Sequence, residues 1–413
     1  MSKLICSWII LKIMFRFIAS IPGRLKNLLS KFKPYFTKPQ YDNFCRATFG
    51  LIAAGKKEHD VTSMNELFIE RKNQSSLNRF FTDPKWSLKN ITQQGKTLLL
   101  QEAAPKQPPD ESVEQRSIDD VVCKKYSSKT DMACYNHSST MGTVLSHDYV
   151  TSVYQNSEVT LPDGLKLYGS KKKCQEKGVE FKTKVQLACE IIDEHTPLEK
   201  LTIFLWDSWY MCKETVLHCR AHSYRWIGEI KGNRIVYFQG EKLHLRDLYD
   251  RLREEGRFVD FVVGGEVYQA CGVNVFVPEI GDVSIVVNVK ADTRDVHLLC
   301  TDLTEFGVGE IVEYVLKRHA IEDFHKEAKA LGLGEYKFQE SEAALIHAHL
   351  VCLALILLDV LRRRLLRYGF KKSLMTIEAT VEWIREKAGH ILVHTIRDSK
   401  LPTRSLLRMI NTN

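Results

Sequence analysis

The chain has 413 residues, 44% of them hydrophobic and 27% charged. That is enough for two or three domains with buried cores, and too apolar for an intrinsically disordered protein. The net charge of +8 favours a polyanionic partner because it is unevenly spread. Residues 1–40 hold Lys3, Lys12, Arg16, Arg24, Lys26, Lys31, Lys33 and Lys38 and no acid, and a second basic run spans Arg362 to Lys372. Either run is also consistent with a merely solvated face.

The first stretch, "MSKLICSWIILKIMFRFIASIPGRL", is interrupted by Lys12 and Arg16 and is too charged to span a bilayer. Lys3, the apolar run and Ala19-Ser20 imitate a signal peptide, but a basic amphipathic helix suits the pattern better. From 40 to 100, apolar residues recur at three- and four-residue spacing, broken at Thr62-Ser63 and Asp83-Pro84, which predicts a small all-α region. "QEAAPKQPPDESVEQR" (101–116), with Pro105, Pro108 and Pro109, reads as a linker. The texture then turns to strands. "LTIFLWDSWY" (201–210) predicts a strand buried on both faces and ending at Asp207. "RIVYFQ", "RFVDFVVGGEVY", "VNVFVPEI", "DVSIVVNVK" and "VHLLCTD" follow between 225 and 305, with one helix expected at Leu245–Glu255. Long helices are expected at 307–331 and 340–368, the second a buried core helix despite its apolar run at 343–361. A basic tail closes the chain. The eleven cysteines form no CxxC pair or Cys/His cluster, which predicts free thiols in a reducing cytosol and no zinc site.

Three acidic positions stand out. Asp207, between Trp206 and Trp209, is either a turn or helix-capping aspartate or a carboxylate held for a cation. Asp119 and Asp120, in "SIDDVVCKK", read as a solvated turn or as a strand edge aimed at a metal. Arg318, Glu322, Lys326 and Lys329 share one stripe of a helix, where i,i+4 ion pairs alone would contribute only tenths of a kcal/mol. Two strand aspartates and a helix glutamate could together hold two Mg²⁺ ions about 3.5–4 Å apart for phosphoryl chemistry. Arg318 and Lys329 would then clamp phosphates.

Arg318-x3-Glu322-x6-Lys329 and "AIEDFHKEAKALGL" resemble the signature helix of insertion-sequence transposases, which carry an RNase H-like core and a DDE triad. "FLWDSWY" resembles the block around that family's second aspartate, "SIDDVVCKK" the first block, "IKGNR" (230–234) a basic patch, and "SLNRFFTDPKW" (76–86) the end of its N-terminal domain. The chain departs from the pattern with Val315 at the tyrosine position, Val121 in place of threonine, and polar "ESVEQRS" where an apolar first strand is usual. The resemblance implies an α/β fold, an RNase H-like mixed sheet flanked by helices, with a β-rich insertion subdomain and an all-α N-terminal domain. The implied organisation is a basic helical DNA-binding domain (1–100), a linker (101–116), the first part of the catalytic core (117–212), the insertion (213–306), the rest of the core (307–370) and a basic tail (371–413). It implies Asp120, with Asp119 as the alternative, Asp207 and Glu322 as catalytic metal ligands for Mg²⁺, with Mn²⁺ able to substitute. Arg318, Lys329, Lys326, Lys231 and Arg234 are implied to contact DNA. The partners are double-stranded DNA, as terminal repeats and target, and a second copy in a synaptic homodimer, in the cytoplasm and without stable membrane association. An inactive or repurposed DNA-binding derivative, a nuclease without strand transfer and a membrane-surface protein are the competing expectations.

Overall fold

Helices come first among the described residues: α1 (Gly23–Leu29), α2 (Lys38–Ala53), α3 (Val61–Glu66), α4 (Gln74–Thr82) and α5 (Leu88–Ala103). Asp60, Asn73 and Ser87 each accept backbone amides at the starts of α3, α4 and α5, satisfying donors that have no partner within the helix. Strands follow: β1 (Val113–Lys124), β2 (Cys134–Ser138), β3 (Gly142–Gln155) and β4 (Thr160–Tyr168). Next come α6 (Lys171–Lys177), α7 (Lys184–Asp193), β5 (Leu201–Trp206), α8 (Lys213–Ala221), β6 (Arg225–Glu229), β7 (Ile235–Phe238), β8 (Glu241–His244) and α9 (Leu245–Glu254). The chain continues through β9 (Val259–Val263), β10 (Glu266–Val277), β11 (Gly281–Lys290), β12 (Val296–Thr301), α10 (Val308–Lys317), α11 (Ala320–Ala330), α12 (Ser341–Arg367) and α13 (Ile377–Asp398). This computed structural model describes residues 18–104, 113–293, 295–371 and 376–398. Residues 1–17 of the basic arm, 105–112 of the expected linker, and Lys372 lie outside them.

The fold divides into two units, one of Met1–Ala104, Cys123–His147 and His325–Asn413, the other of Pro105–Val122 and Asp148–Phe324. In the first, α12 is buried along nearly its whole length against α5, α2, α4 and α13. It is apolar and long enough to cross a bilayer, yet it forms the core of this unit. His347 fits there by bonding through Nε2 to the carbonyl of His59 at 3.1 Å, and burial pushes its pKa down to about 3. The arginines that follow it share two carboxylates, Asp359 and Glu102. Arg362 and Arg363 each place Nε 2.8 Å from Asp359, and Arg364 places Nε 2.7 Å from Glu102. The segment expected as a tail contains helix α13, because Val381, Ile384, Ala388 and Leu392 recur on one buried stripe.

In the second unit the sheet runs β3-β1-β5-β6-β12-β11-β10-β7-β8, with β4 on β3 and β9 on β10. The β1–β5 and β5–β6 pairs are parallel. The strands of the expected insertion continue this sheet through the β6–β12 pair. Their hairpins follow local chemistry: Gly264 and Gly265, both at positive φ, close a two-residue turn between β9 and β10. Ile118, Phe204, Trp206 and Trp226 pack with apolar residues of α7, α8 and α9 on one face of the sheet. Ile203, Leu205, Ile227 and Leu299 pack with Ile311 and Val312 of α10 on the other. A mixed α/β sheet covered by helices on both faces matches the expected fold class.

The polar start of β1 is buried, and both of its charged side chains have partners. Glu114 accepts from Thr202 Oγ1 (2.8 Å) and the Leu198 amide (3.0 Å), and His195 Nε2 lies 2.5 Å from its carboxylate. Burial alone would raise the Glu114 pKa, but these bonds hold it below the usual range. Arg116 pairs with Asp163 beside the ring of Tyr154. A polar stretch therefore serves as an inner strand because every charge brings its partner.

The site end of this sheet is tightly packed. A Cβ on Gly228 would stand 2.3 Å from Trp206 Nε1 and 2.6 Å from Met211 Sδ. Gly228→Val is expected to lower the unfolding free energy by about 1–3 kcal/mol. An unchanged denaturation midpoint would show that the indole does not lie against β6.

Candidate active site

The register of three parallel strands fixes the site. Ile118 of β1 is opposite Trp206 of β5, which is opposite Gly228 of β6. The next residues along are Asp119, Asp207 and Glu229, just past the carboxyl end of the parallel pairing, although β1 itself runs on to Lys124; open α/β sheets bind their ligands at that end. Side chains alternate between faces along a strand. Ile118, Trp206 and Trp226 face α7–α9, so Asp119, Asp207 and Glu229 turn to the face covered by α10.

The expected long helix at 307–331 is interrupted there. Arg318 and His319 form a turn between α10 and α11, and the amides of Arg318, Ile321 and Glu322 bond to carbonyls three residues back. This 3₁₀-like tightening sets the side chains of Arg318 and Glu322 over the sheet edge. The Arg318 guanidinium lies 3.8 Å from Asp119 Oδ2 and 3.6 Å from Glu322 Oε1. His319 Nδ1 is 3.1 Å from the other Glu322 oxygen. Tyr314 packs against Phe306, and Val315 against the same core, so neither is drawn into this cluster.

Asp207 Oδ1 accepts from the amides of Trp209 (2.9 Å) and Tyr210 (3.3 Å), capping the turn after β5. The turn reading of Asp207 is met through Oδ1, and Oδ2 is not engaged in that turn. Burial, with the Asp120 charge, raises the Asp207 pKa, against the turn amides and Arg318. Burial likewise raises Asp119 to about 7, with Asp207 and Asp120 adding to the effect and the Asp120 amide and Arg318 opposing it. Glu229 goes the other way. Its hydrogen bond with His297, followed by the charges of Arg318 and His319, holds it below the usual range.

Asp120 points to the opposite face. Lys184 of α7 pairs with its Oδ2 at 2.8 Å, and Tyr210 donates to its Oδ1 at 3.1 Å. Lys184 also pairs with buried Asp148, whose pKa burial and Asp120 push up to about 6. Alternation therefore brings Asp119, and not Asp120, together with Asp207, Arg318 and Glu322. Lys326 and Lys329 are exposed on α11, four and seven residues beyond Glu322. Lys231 and Arg234 are exposed and line a cleft of about 640 Å³ with Ser208, Trp209, Asn233 and Pro278. The indole of Trp209 is 62% exposed.

Among the described residues, no three His, Cys, Asp or Glu side chains already converge as a metal site. The donor set nevertheless suits a hard divalent cation. Burial, and after it neighbouring carboxylate charge, disfavours the ionised forms of Asp119 and Asp207, and a divalent cation there would favour them. Glu229, His297, Lys184 and Asp148 were not legible as site residues. Glu229 could have been found by counting register from Asp207, whereas Lys184 and Asp148 carry no local signal.

Because the fold raises the Asp119 pKa from 3.8 to about 7, its stabilising contribution is complete below about pH 4 and is lost as pH rises through 7. Asp119→Asn is expected to exceed the native protein in stability at pH 8 by roughly 2–4 kcal/mol, with the difference vanishing near pH 4. Denaturant unfolding at several pH values reads this, and equal stability at pH 8 refutes it.

The family model described as DDE superfamily endonuclease matches residues 31–258, and that of the archaeal transposase ISC1217 matches residues 165–368. No curated protein matches the chain. With more than half of its length inside the first match, this chain belongs to the DDE superfamily endonucleases, transposase-type enzymes that act on DNA.

Proposed function

We propose that this protein is an insertion-sequence transposase that hydrolyses the phosphodiester at each element end and joins the freed 3′-hydroxyl to target DNA. The observation that carries the reading is the Arg318 guanidinium standing between Asp119 and Glu322 beside Asp207. Asp119, Asp207 and Glu322 would hold divalent metal, Mg²⁺ with Mn²⁺ able to substitute. A metal held by these three carboxylates would supply Lewis acidity to the attacking water or hydroxyl and to the leaving oxygen. Asp119 takes the role expected of Asp120, whose carboxylate is committed to Lys184 and Tyr210. Arg318 offers a planar donor pair for a phosphate next to the scissile bond, and Lys326 and Lys329 extend positive charge along α11. Lys231, Arg234 and Trp209 provide cations and an aromatic face for nearby nucleotides.

The first unit would hold the element's terminal sequence. Leu25, Leu28, Leu29 and Phe32 are buried while Lys26, Lys31, Lys33 and Lys38 are exposed, which gives a basic outer face. Pairing of two ends in a homodimer follows from the family resemblance, and the enzyme would act in the cytoplasm on double-stranded DNA.

Duplexes carrying the flanking terminal repeats should be nicked with Mg²⁺, and the products should join a target duplex. Asp119→Asn, Asp207→Asn and Glu322→Gln are each expected to cut the nicking rate more than about 100-fold. Asp120→Asn should retain nicking at reduced stability. Nicking by Asp119→Asn at the native rate, with loss only in Asp120→Asn, would reverse the assignment. Nicking without joining would leave a nuclease. Replacing Lys31, Lys33 and Lys38 with Gln should reduce the slope of log affinity against log salt by roughly 0.9 for each phosphate no longer neutralised. An unchanged slope removes this face from the interface.

A further inference from the structure

Beyond the three proposed metal ligands, the line of polar side chains on the α10 face continues. Glu229 follows Asp207 on β6, and on β12 the register pairs Leu299 with Glu229, which brings His297 to the same face diagonally across. His297 Nδ1 lies 3.3 Å from Glu229 Oε1, and both side chains are open to solvent, at 49% and 29% exposure. Neighbouring strands are about 4.8 Å apart, so Glu229 and His297 stand about 5 and 10 Å from the strand of Asp207. An imidazole oriented by a carboxylate and displayed beside a phosphoryl-transfer site is the arrangement of a proton donor.

We propose that the Glu229–His297 pair is a proton-delivering element of the site, in which His297 protonates the 3′-oxygen as it leaves phosphorus. Water forms the new bond to phosphorus and loses its proton to solvent. The P–O3′ bond breaks with its electron pair on oxygen, that oxygen takes the His297 proton, and solvent reprotonates the imidazole. The products are a 3′-hydroxyl and a 5′-phosphate. Glu229 faces His297 from β6, the Arg318 charge reaches it from the turn after α10, and Asp295 adds a negative charge on its own segment. The bond to Glu229 raises the imidazole pKa above its ordinary 6.5, which favours the proton-bearing form.

This inference rests on the hydrolytic reading above, and leaving-group chemistry separates the two. The substrates are terminal-repeat duplexes with either the natural bridging 3′-oxygen or sulfur at the scissile bond, assayed with Mn²⁺. A thiolate, with a pKa near 8.5, departs without a proton. His297→Gln is expected to slow cleavage of the oxygen substrate about 10²–10⁴-fold and to leave the sulfur substrate unaffected. The native rate on oxygen should fall as pH rises through the His297 pKa, and Glu229→Gln should move that fall to lower pH. Equal slowing of both substrates, or no slowing of either, overturns the proton-donor role while the hydrolytic reading stands. Failure of the native protein to cut the oxygen substrate overturns the hydrolytic reading itself.

Discussion

Burying carboxylates at the end of a parallel sheet costs free energy, and Arg318 offsets part of that cost. Its guanidinium bridges Asp119 and Glu322 and acts electrostatically on Asp207 and Glu229. Burial still raises the pKa of Asp119 and Asp207, with neighbouring carboxylates adding to the effect. Glu229, bonded to His297, is held below the usual range instead. A positive charge beside Asp119 and Asp207 would favour their ionised forms.

That arrangement depends on strands that cannot slide. β1 is tied near its start by Glu114 and Arg116, each with a buried partner, and further along by Asp120 through Lys184 and Tyr210. Breaking such a buried pair leaves an uncompensated charge, which costs more than the pair contributes. The polar character of β1 is thus a means of fixing register. The opposite-face network of Asp120, Asp148 and Lys184 keeps Asp119 where Arg318 can reach it.

Much of this was legible in the sequence, unevenly. The apolar run 201–206 and its terminal Asp207 announced a buried strand with a carboxylate at its end. The short β-patterned runs between 225 and 305 became β6 to β12, and α12 is the buried helix its apolar run suggested. The first strand was obscured because its burial is of ion pairs whose partners, Asp163 and His195, lie far along the chain. The choice between Asp119 and Asp120 turns on alternation relative to Ile118, which requires knowing which face α10 covers. The break at Arg318 carries no glycine or proline, so local propensity could not reveal it. Helix α13 is hidden within an expected tail because its charged residues outweigh a narrow apolar stripe.

Alternation in β1 also governs how the gene can change. Two adjacent aspartates with opposite duties make the strand sensitive to length in a way that composition does not record. Inserting one residue ahead of Ile118 would put Ile118 in the place of Asp119 and turn Asp119 toward Lys184, whereas a deletion there would bring Asp120 into that place and Val121 against Lys184. A chain with the insertion would keep every acidic side chain and nearly its whole sequence, yet have no carboxylate on β1 in line with Asp207. One-residue insertions in this strand therefore disturb that line of carboxylates more than substitutions across the basic surface do.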